Sequence, residues 1–203
     1  MSNAINLFNN WAKEGKDIKM ANSHEPSTNS MLSIISENNF RKFSFLDAGC
    51  GNGKVIRKIK DNLNCIYSVG VDGAPEMINN ARRLDPSNNY FCSDLLEWVP
   101  EKKFDVVFSM EVFYYFKDLD LLFEHVVSKW LNQESILIIG VDFFLENKAS
   151  HSWPSDLEVE MTLLSSNEWV KIFKKYGFSN CKANVVNKTN TSAGTLVVSG
   201  LLN

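Results

Sequence analysis

From residue 43 onward, short apolar runs alternate with segments of helical period, and three of the first runs end in or just before an acid. Such alternation predicts a βαβα chain folded around a parallel sheet. Residues 43–47 read as a strand ending in Asp47. After a glycine-rich turn, Val55, Ile56, Ile59 and Leu63 fall on one helical face. Residues 65–71 form the next strand, followed by Asp72. Pro75 suits the first turn of a helix, where its missing N–H costs nothing. Met77, Ile78, Ala81 and Leu84 supply that helix's buried stripe. Residues 90–93 read as a third strand before Asp94, and 104–110 as a fourth, nearly all apolar as a doubly covered strand should be. Leu119, Leu122, Phe123, Val126, Val127 and Trp130 mark an amphipathic helix capped by Asp118. Residues 135–141 form the fifth strand, and 142–164 show no clear period. Ser165 and Glu168 have the spacing of a capping box on a helix that Gly177 closes. Residues 178–186 and 195–202 then read as strands joined by a loop too short for a helical crossover, which makes them antiparallel.

The length of 203 residues suits one α/β domain: residues 1–40 as an N-terminal helical cap and 41–203 as the core. The net charge of −3 argues against general nucleic-acid binding, which needs clustered Lys and Arg. No apolar run reaches the ~20 residues that span a bilayer. No basic segment followed by an apolar stretch marks a signal peptide. Cys50, Cys65, Cys92 and Cys181 show no metal-ligand spacing, and three of them sit in apolar strand-like runs, as small buried thiols do. A cytoplasmic, metal-free protein without membrane contact is expected.

The segment Phe45-Leu-Asp-Ala-Gly-Cys-Gly-Asn-Gly-Lys54 places three glycines between a strand and a helix. Missing side chains there let a ligand approach the backbone, and a helix N-terminus presents free N–H groups. A tight turn without a ligand explains the glycines equally. Asp72, however, follows Gly53 at close to the ~20-residue spacing at which an acid reaches ribose hydroxyls. Asp94 ends the third strand on the same edge, where it either accepts from an adenine amino group or caps the segment after it. The spacing G-x-G-x-G differs from the dinucleotide pattern G-x-G-x-x-G, and no second mononucleotide half follows.

Taken in order, Leu46-Asp-Ala-Gly-Cys-Gly-Asn-Gly53, Val69-Gly-Val-Asp-Gly-Ala-Pro-Glu-Met77, Cys92-Ser-Asp-Leu95 and Phe104-Asp-Val-Val-Phe-Ser-Met110 resemble the motifs of class I S-adenosylmethionine (SAM)-dependent methyltransferases of the small-molecule type. The resemblance implies a Rossmann-like sheet of seven strands in the order 3-2-1-4-5-7-6, the last antiparallel, with helices on both faces and an N-terminal helical lid. It implies that Asp47 and the backbone of Gly49, Cys50 and Gly51 hold the methionine part of SAM, and that Asp72 binds the ribose. Gly73 and Ala74 would line the adenosine. Asp94 would meet the adenine amino group with Leu95 beside it, and Ser109 would contact the amino-acid end through its backbone. The Gly-Gly turn common before the fifth strand is replaced by Asn132-Gln-Glu-Ser135.

Methyl transfer needs alignment and a dry pocket more than a fixed catalytic constellation, and no Ser-His-Asp, HExxH or Asn/Asp-Pro-Pro-aromatic motif is present. Residues 111–116 follow strand four, where Tyr114 and Tyr115 face the methyl end in the family; Phe113 and Phe116 read as core. In residues 142–154, Phe143, Phe144 and Trp153 offer apolar walls for an acceptor and His151 a titratable base. Trp11, Lys19, Met20 and His24 lie in a polar stretch between two expected N-terminal helices and suit a lid. The expected activity is methyl transfer from SAM to a small molecule, leaving S-adenosylhomocysteine. The rivals are a non-catalytic SAM-binding sensor or partner subunit and an NAD-dependent oxidoreductase.

Overall fold

The computed structural model describes residues 2–38, 40–62, 64–189 and 192–203. Leu63, expected on a helical face, lies outside them, as do residues 190 and 191 of the expected hairpin loop. Three helices open the chain: α1 (Ser2–Lys13), α2 (Lys16–Ser23) and α3 (Glu25–Glu37). The stretch around residues 11–24, expected to separate two helices, is itself mostly helical. Gly15, at φ 70°, divides α1 from α2 with a left-handed turn of two residues, short enough for helix to resume at once.

The core follows as β1 (Phe43–Ala48), α4 (Lys54–Lys60), β2 (Cys65–Asp72), α5 (Pro75–Leu84), β3 (Asn89–Cys92), β4 (Phe104–Met110), α6 (Leu119–His125), β5 (Leu131–Val141), α7 (Trp153–Asp156), α8 (Ser166–Lys175), β6 (Phe178–Val186) and β7 (Thr195–Leu202). The sheet has seven strands in the order β3-β2-β1-β4-β5-β7-β6. β7 runs antiparallel to both β5 and β6, and the other pairs are parallel. Period-two alternation divides the core between the two faces: Leu46, Val107, Leu137 and Ile139 pack on one side, Phe45, Val106, Phe108 and Ile138 on the other. α6 continues into a π-helical turn, Val126–Trp130, that carries the buried Trp130.

The caps explain where the helices begin. Asp118 accepts from the Leu121 N–H at 2.9 Å, and Ser165 and Glu168 form the reciprocal capping box. Asn9 of α1 accepts from the Glu76 N–H at 2.9 Å, so the first helix caps the start of α5 across the tertiary structure.

Two expectations about burial are corrected. Leu84 is 49% exposed because it ends α5 beyond the contact with the sheet, leaving Met77, Ile78 and Ala81 as the buried stripe. Only Cys50 is buried among the four free cysteines; Cys92 is exposed, and Cys65 and Cys181 are intermediate. Cys92 and Cys181 sit on β3 and β6, the two edge strands, and Cys65 opens β2, so none lies mid-sheet under two covering layers.

Candidate active site

The parallel register brings the ends of β1, β2, β4 and β5 to one edge of the sheet, pairing Ala48 with Val71 and Met110 with Gly140. Open α/β sheets bind ligands outside this carboxyl edge. A cavity of about 410 Å³ opens there, a size in the range of small-ligand sites. Gly49 and Gly51 form part of its wall. Gly49 has φ 82°, and a Cβ on it would sit 2.2 Å from Val112 Cγ2, so no side chain is tolerated between the loop and the segment after β4.

The loop's N–H groups are already engaged. Gly49 and Cys50 donate to the Val71 carbonyl at 2.8 and 3.0 Å, and Gly51 donates to Asp72 Oδ2 at 2.9 Å. The neighbouring strand end thus takes these three N–H groups, so backbone contact between this loop and a ligand falls to its carbonyls and to the N–H groups that open α4. Asp72 also accepts from the Ala74 N–H through Oδ1 at 2.8 Å, and its carboxylate lines the cavity. Burial pushes its pKa up and these two N–H groups pull it back.

Asp47 is the sharpest anomaly. It is 2% exposed, its Oδ2 has no partner, and it faces a small recess shared with Gly49, His24 and Met110. Burial, with Asp72 nearby, pushes its pKa up to about 8. A buried unpartnered carboxylate oxygen is costly unless a cation or donor meets it.

The wall of the main cavity also includes Tyr114, Tyr115 and Trp153, together with Phe8 and Trp11 from α1. Tyr114 Oη donates to Glu111 Oε2 at 2.8 Å, and the Asp142 N–H donates to Glu111 Oε1. Glu111 has a left-handed backbone (φ 61°), unusual for a residue with a Cβ and typical of functional sites. His24, Glu111 and Asp142 each bring one polar side-chain atom within 4.8 Å of the others. Burial pushes the Glu111 and Asp142 carboxyls up and the His24 imidazole down, the last opposed by Asp142.

Other expected residues fall elsewhere. Gly73 and Leu95 line a smaller recess beneath α1 that shares Phe8, Asp72, Glu111 and Tyr115 with the main cavity, and Ile5 lies so close that a Cβ on Gly73 would meet its Cδ1 at 2.6 Å. Ala74 packs with Ala12 and Met77 in the core beneath α1. Asp94 does not line these cavities; its Oδ1 accepts from the Leu96 N–H at 2.9 Å, the capping alternative. Ser109 is buried with its hydroxyl donating to the Ala48 carbonyl at 2.7 Å, leaving Met110 and Glu111 to reach the cavity. Phe143 stands behind Tyr114, ring centroids 5.6 Å apart, rather than in the wall, and Phe144 is also core. His151 is exposed, its Nε2 against the Leu145 carbonyl at 3.2 Å, because the 3₁₀ turn Lys148–Ser150 carries it to the surface. Among the lid candidates, Trp11, Met20 and His24 line the cavity and Lys19 is exposed.

Glu111, Asp142, Phe8, Asp156 and Leu157 had no role assigned from sequence. Glu111 and Asp142 immediately follow strands, the same signature that singled out Asp47 and Asp72. Phe8 and Leu157 carry no such signal.

This sheet order, with a glycine loop and strand-end acids at its carboxyl edge, defines a Rossmann-like α/β fold with its candidate ligand site at that edge. Residues 46–146 match the family model described as a methyltransferase domain. The chain is 27% identical over 148 residues to malonyl-[acyl-carrier protein] O-methyltransferase 2 of Ilyobacter polytropus, covering 70% of this chain and 57% of that one. It is 31% identical over 101 residues to trans-aconitate 2-methyltransferase of Escherichia coli, covering 49% and 40%. The chain thus spans about half the length of the curated relatives it matches. A methyltransferase of Haloferax volcanii, solved in complex with the Trm112 methyltransferase activator, superposes with a TM-score of 0.84 at 23% identity, covering 96% of each chain. The chain belongs to the class I SAM-dependent methyltransferases, whose cofactor is SAM. The residues present fit that cofactor: an unpartnered buried carboxylate stands ready for a cationic group, and Asp72 retains acceptor capacity on both oxygens.

Proposed function

We propose that the chain transfers the sulfonium methyl of SAM to a small-molecule acceptor and releases S-adenosylhomocysteine. The observation that carries this reading is the unpartnered Oδ2 of Asp47, buried beside the glycine loop in a small recess that shares Gly49, Gly51, His24 and Met110 with the main cavity. Bound SAM supplies an activated methyl on sulfur; the protein supplies alignment and exclusion of water. Asp47 would receive the ammonium of the methionine part, with Gly49, Cys50 and Gly51 packed beside it. Asp72 would accept from the ribose hydroxyls, and Gly73, Ala74 and Leu95 would surround the adenosine. Asp94 and Ser109 support these segments through their own hydrogen bonds.

Tyr114, Tyr115 and Trp153 would hold the acceptor, with Phe143 bracing Tyr114 from behind. The helices of residues 1–40 serve as a lid on the core of residues 41–203, closing the site with Phe8, Trp11 and Met20. No helix among the described residues is long and apolar enough to cross a membrane. The four free thiols suit the reducing cytoplasm.

A protein partner of the kind seen with the Haloferax relative is supported by one feature. Ile66, Tyr67 and Phe91 on β2 and β3, with Val99 beyond them, are exposed apolar side chains at the sheet edge. Titrating the chain with a Trm112-type protein tests it: Ile66→Asp with Phe91→Asp abolishes binding if this edge is the surface.

The central reading is tested by calorimetry with SAM, S-adenosylhomocysteine and NAD, followed by transfer of labelled methyl to pooled metabolites. Micromolar binding of both SAM species without NAD binding is expected. NAD binding with no response to either SAM species would overturn it in favour of the oxidoreductase, and tight SAM binding without transfer would favour the sensor.

A further inference from the structure

Resting on the reading above, we propose that the acceptor is an amine carrying an apolar or aromatic body, received as its ammonium by Glu111, Asp142 and His24. Among the described residues, the cavity wall includes three acids, Asp72, Glu111 and Asp156, and no Lys or Arg. A carboxylate acceptor would enter against those acids with no cation to meet it, whereas an ammonium finds complementary charge. Asp72 is committed to the loop and the ribose, which leaves Glu111 and Asp156 at the acceptor end.

The groups around Glu111 are arranged for a cation. Its two oxygens each accept one hydrogen bond, from Tyr114 and the Asp142 N–H, which fixes the carboxylate while leaving further lone pairs. Asp142 Oδ1 is buried without a partner within the same cluster. Burial raises both carboxyls, and an entering ammonium offsets that penalty and favours their ionised forms. The remaining wall is aromatic: Phe8, Trp11, Tyr114, Tyr115 and Trp153 present faces and edges suited to a cation on an apolar body.

An ammonium becomes a nucleophile only after losing a proton. His24 is the one imidazole in the cluster; burial keeps it neutral with a lone pair to offer, and the neighbouring Asp142 steadies the imidazolium once it has taken that proton. The freed nitrogen lone pair forms the N–C bond as the S–C bond breaks and its electron pair returns to sulfur. The products are S-adenosylhomocysteine, the methylated ammonium and the proton on His24, which passes to water.

The test titrates protein preloaded with S-adenosylhomocysteine, by calorimetry, with phenethylamine and tryptamine and with their carboxylate counterparts, 3-phenylpropionate and indole-3-propionate. The amines should bind at least ~10-fold tighter than the acids and accept labelled methyl from SAM. Glu111→Gln and Asp142→Asn should each weaken amine binding by ~10-fold or more while S-adenosylhomocysteine affinity stays within ~2-fold, which also shows that the variants fold. Acids binding as tightly as amines, or neither panel binding while S-adenosylhomocysteine does, would overturn the amine assignment alone. Failure of S-adenosylhomocysteine itself to bind would bring down the cofactor reading as well.

Discussion

Asp17 of α2 accepts a hydrogen bond from Asn52 Nδ2 of the glycine loop at 2.9 Å, with both side chains buried. The contact ties the N-terminal helices to the loop that borders the cofactor site, and Asn80 of α5 approaches the same oxygen at 3.4 Å. Asp17→Ala leaves a buried amide without its acceptor, at a cost of ~1–3 kcal/mol. For a chain of this length, thermal melts should show a Tm loss of ~2–4 °C per kcal/mol. Hydrogen exchange should accelerate in residues 16–23. An unchanged exchange pattern would show that other contacts hold α2 in place.

Asp47 makes the cofactor-free protein pH-sensitive. Its folded pKa, about 8, lies above the ordinary carboxylate value, so the native state holds a proton that the unfolded chain has released. The contribution to stability is full below the unfolded pKa and is lost as pH rises towards 8. Asp47→Asn should therefore melt at least ~5 °C above the parent at pH 8, with the gap closing by pH 4. If Asp47 receives the ammonium of SAM, binding ionises it. Calorimetry at pH 7 in buffers of different ionisation enthalpy should then register release of close to one proton, and none from the Asn variant.

Asp72 braces the glycine loop and is proposed to bind the ribose, and its variant should separate the two duties. Asp72→Ala removes the acceptor for the Gly51 and Ala74 N–H groups and, on the proposed reading, the acceptor for the ribose hydroxyls. SAM affinity should fall by ~2–4 kcal/mol, and the Tm should fall in the absence of SAM as well. A lower Tm with unchanged SAM affinity would assign the carboxylate to the loop alone.

The parallel βαβα body and the antiparallel final pair were legible from the alternating apolar runs and from a last loop too short for a crossover, whereas the strand order followed only from the resemblance of the four motifs to the methyltransferase family. Asp47 and Asp72 were legible because strand-end acids project from the carboxyl edge. Asp94 shares that signature and spends its carboxylate on Leu96, a choice set by local backbone geometry that no spacing encodes. His151 and Phe143 were read from a segment without period, where side-chain direction depends on how each turn packs. Phe8 reaches the cavity through α1, whose placement depends on tertiary contacts such as Asn9 with Glu76 and Ile5 over Gly73.

Trp153 lines the main cavity but not the recess that holds Gly73 and Leu95, whereas Tyr115 lines both, so three variants can divide the acceptor's contacts from the cofactor's. Trp153 lines the cavity, and it is held there by a one-turn helix, α7, rather than by the sheet. Trp153→Ala should lower kcat/KM for the acceptor by ~10-fold or more through loss of alignment, with SAM affinity within ~2-fold of the parent. Tyr115→Phe keeps the ring that meets Phe8 edge-on at 5.4 Å and removes the hydroxyl beside Tyr114 Oη at 3.3 Å. Because the ring, which also lines the recess of Gly73 and Leu95, is retained, the loss of the hydroxyl should fall on acceptor turnover, with SAM affinity within ~3-fold of the parent. His151→Ala should change neither quantity, since its ring is exposed and bonded to Leu145. Steady-state kinetics beside cofactor titration distinguishes the three. Loss of turnover in the His151 variant would mean that residues 142–154 move inward when acceptor binds, and full activity in the Trp153 variant would place the acceptor wall on the side of α1.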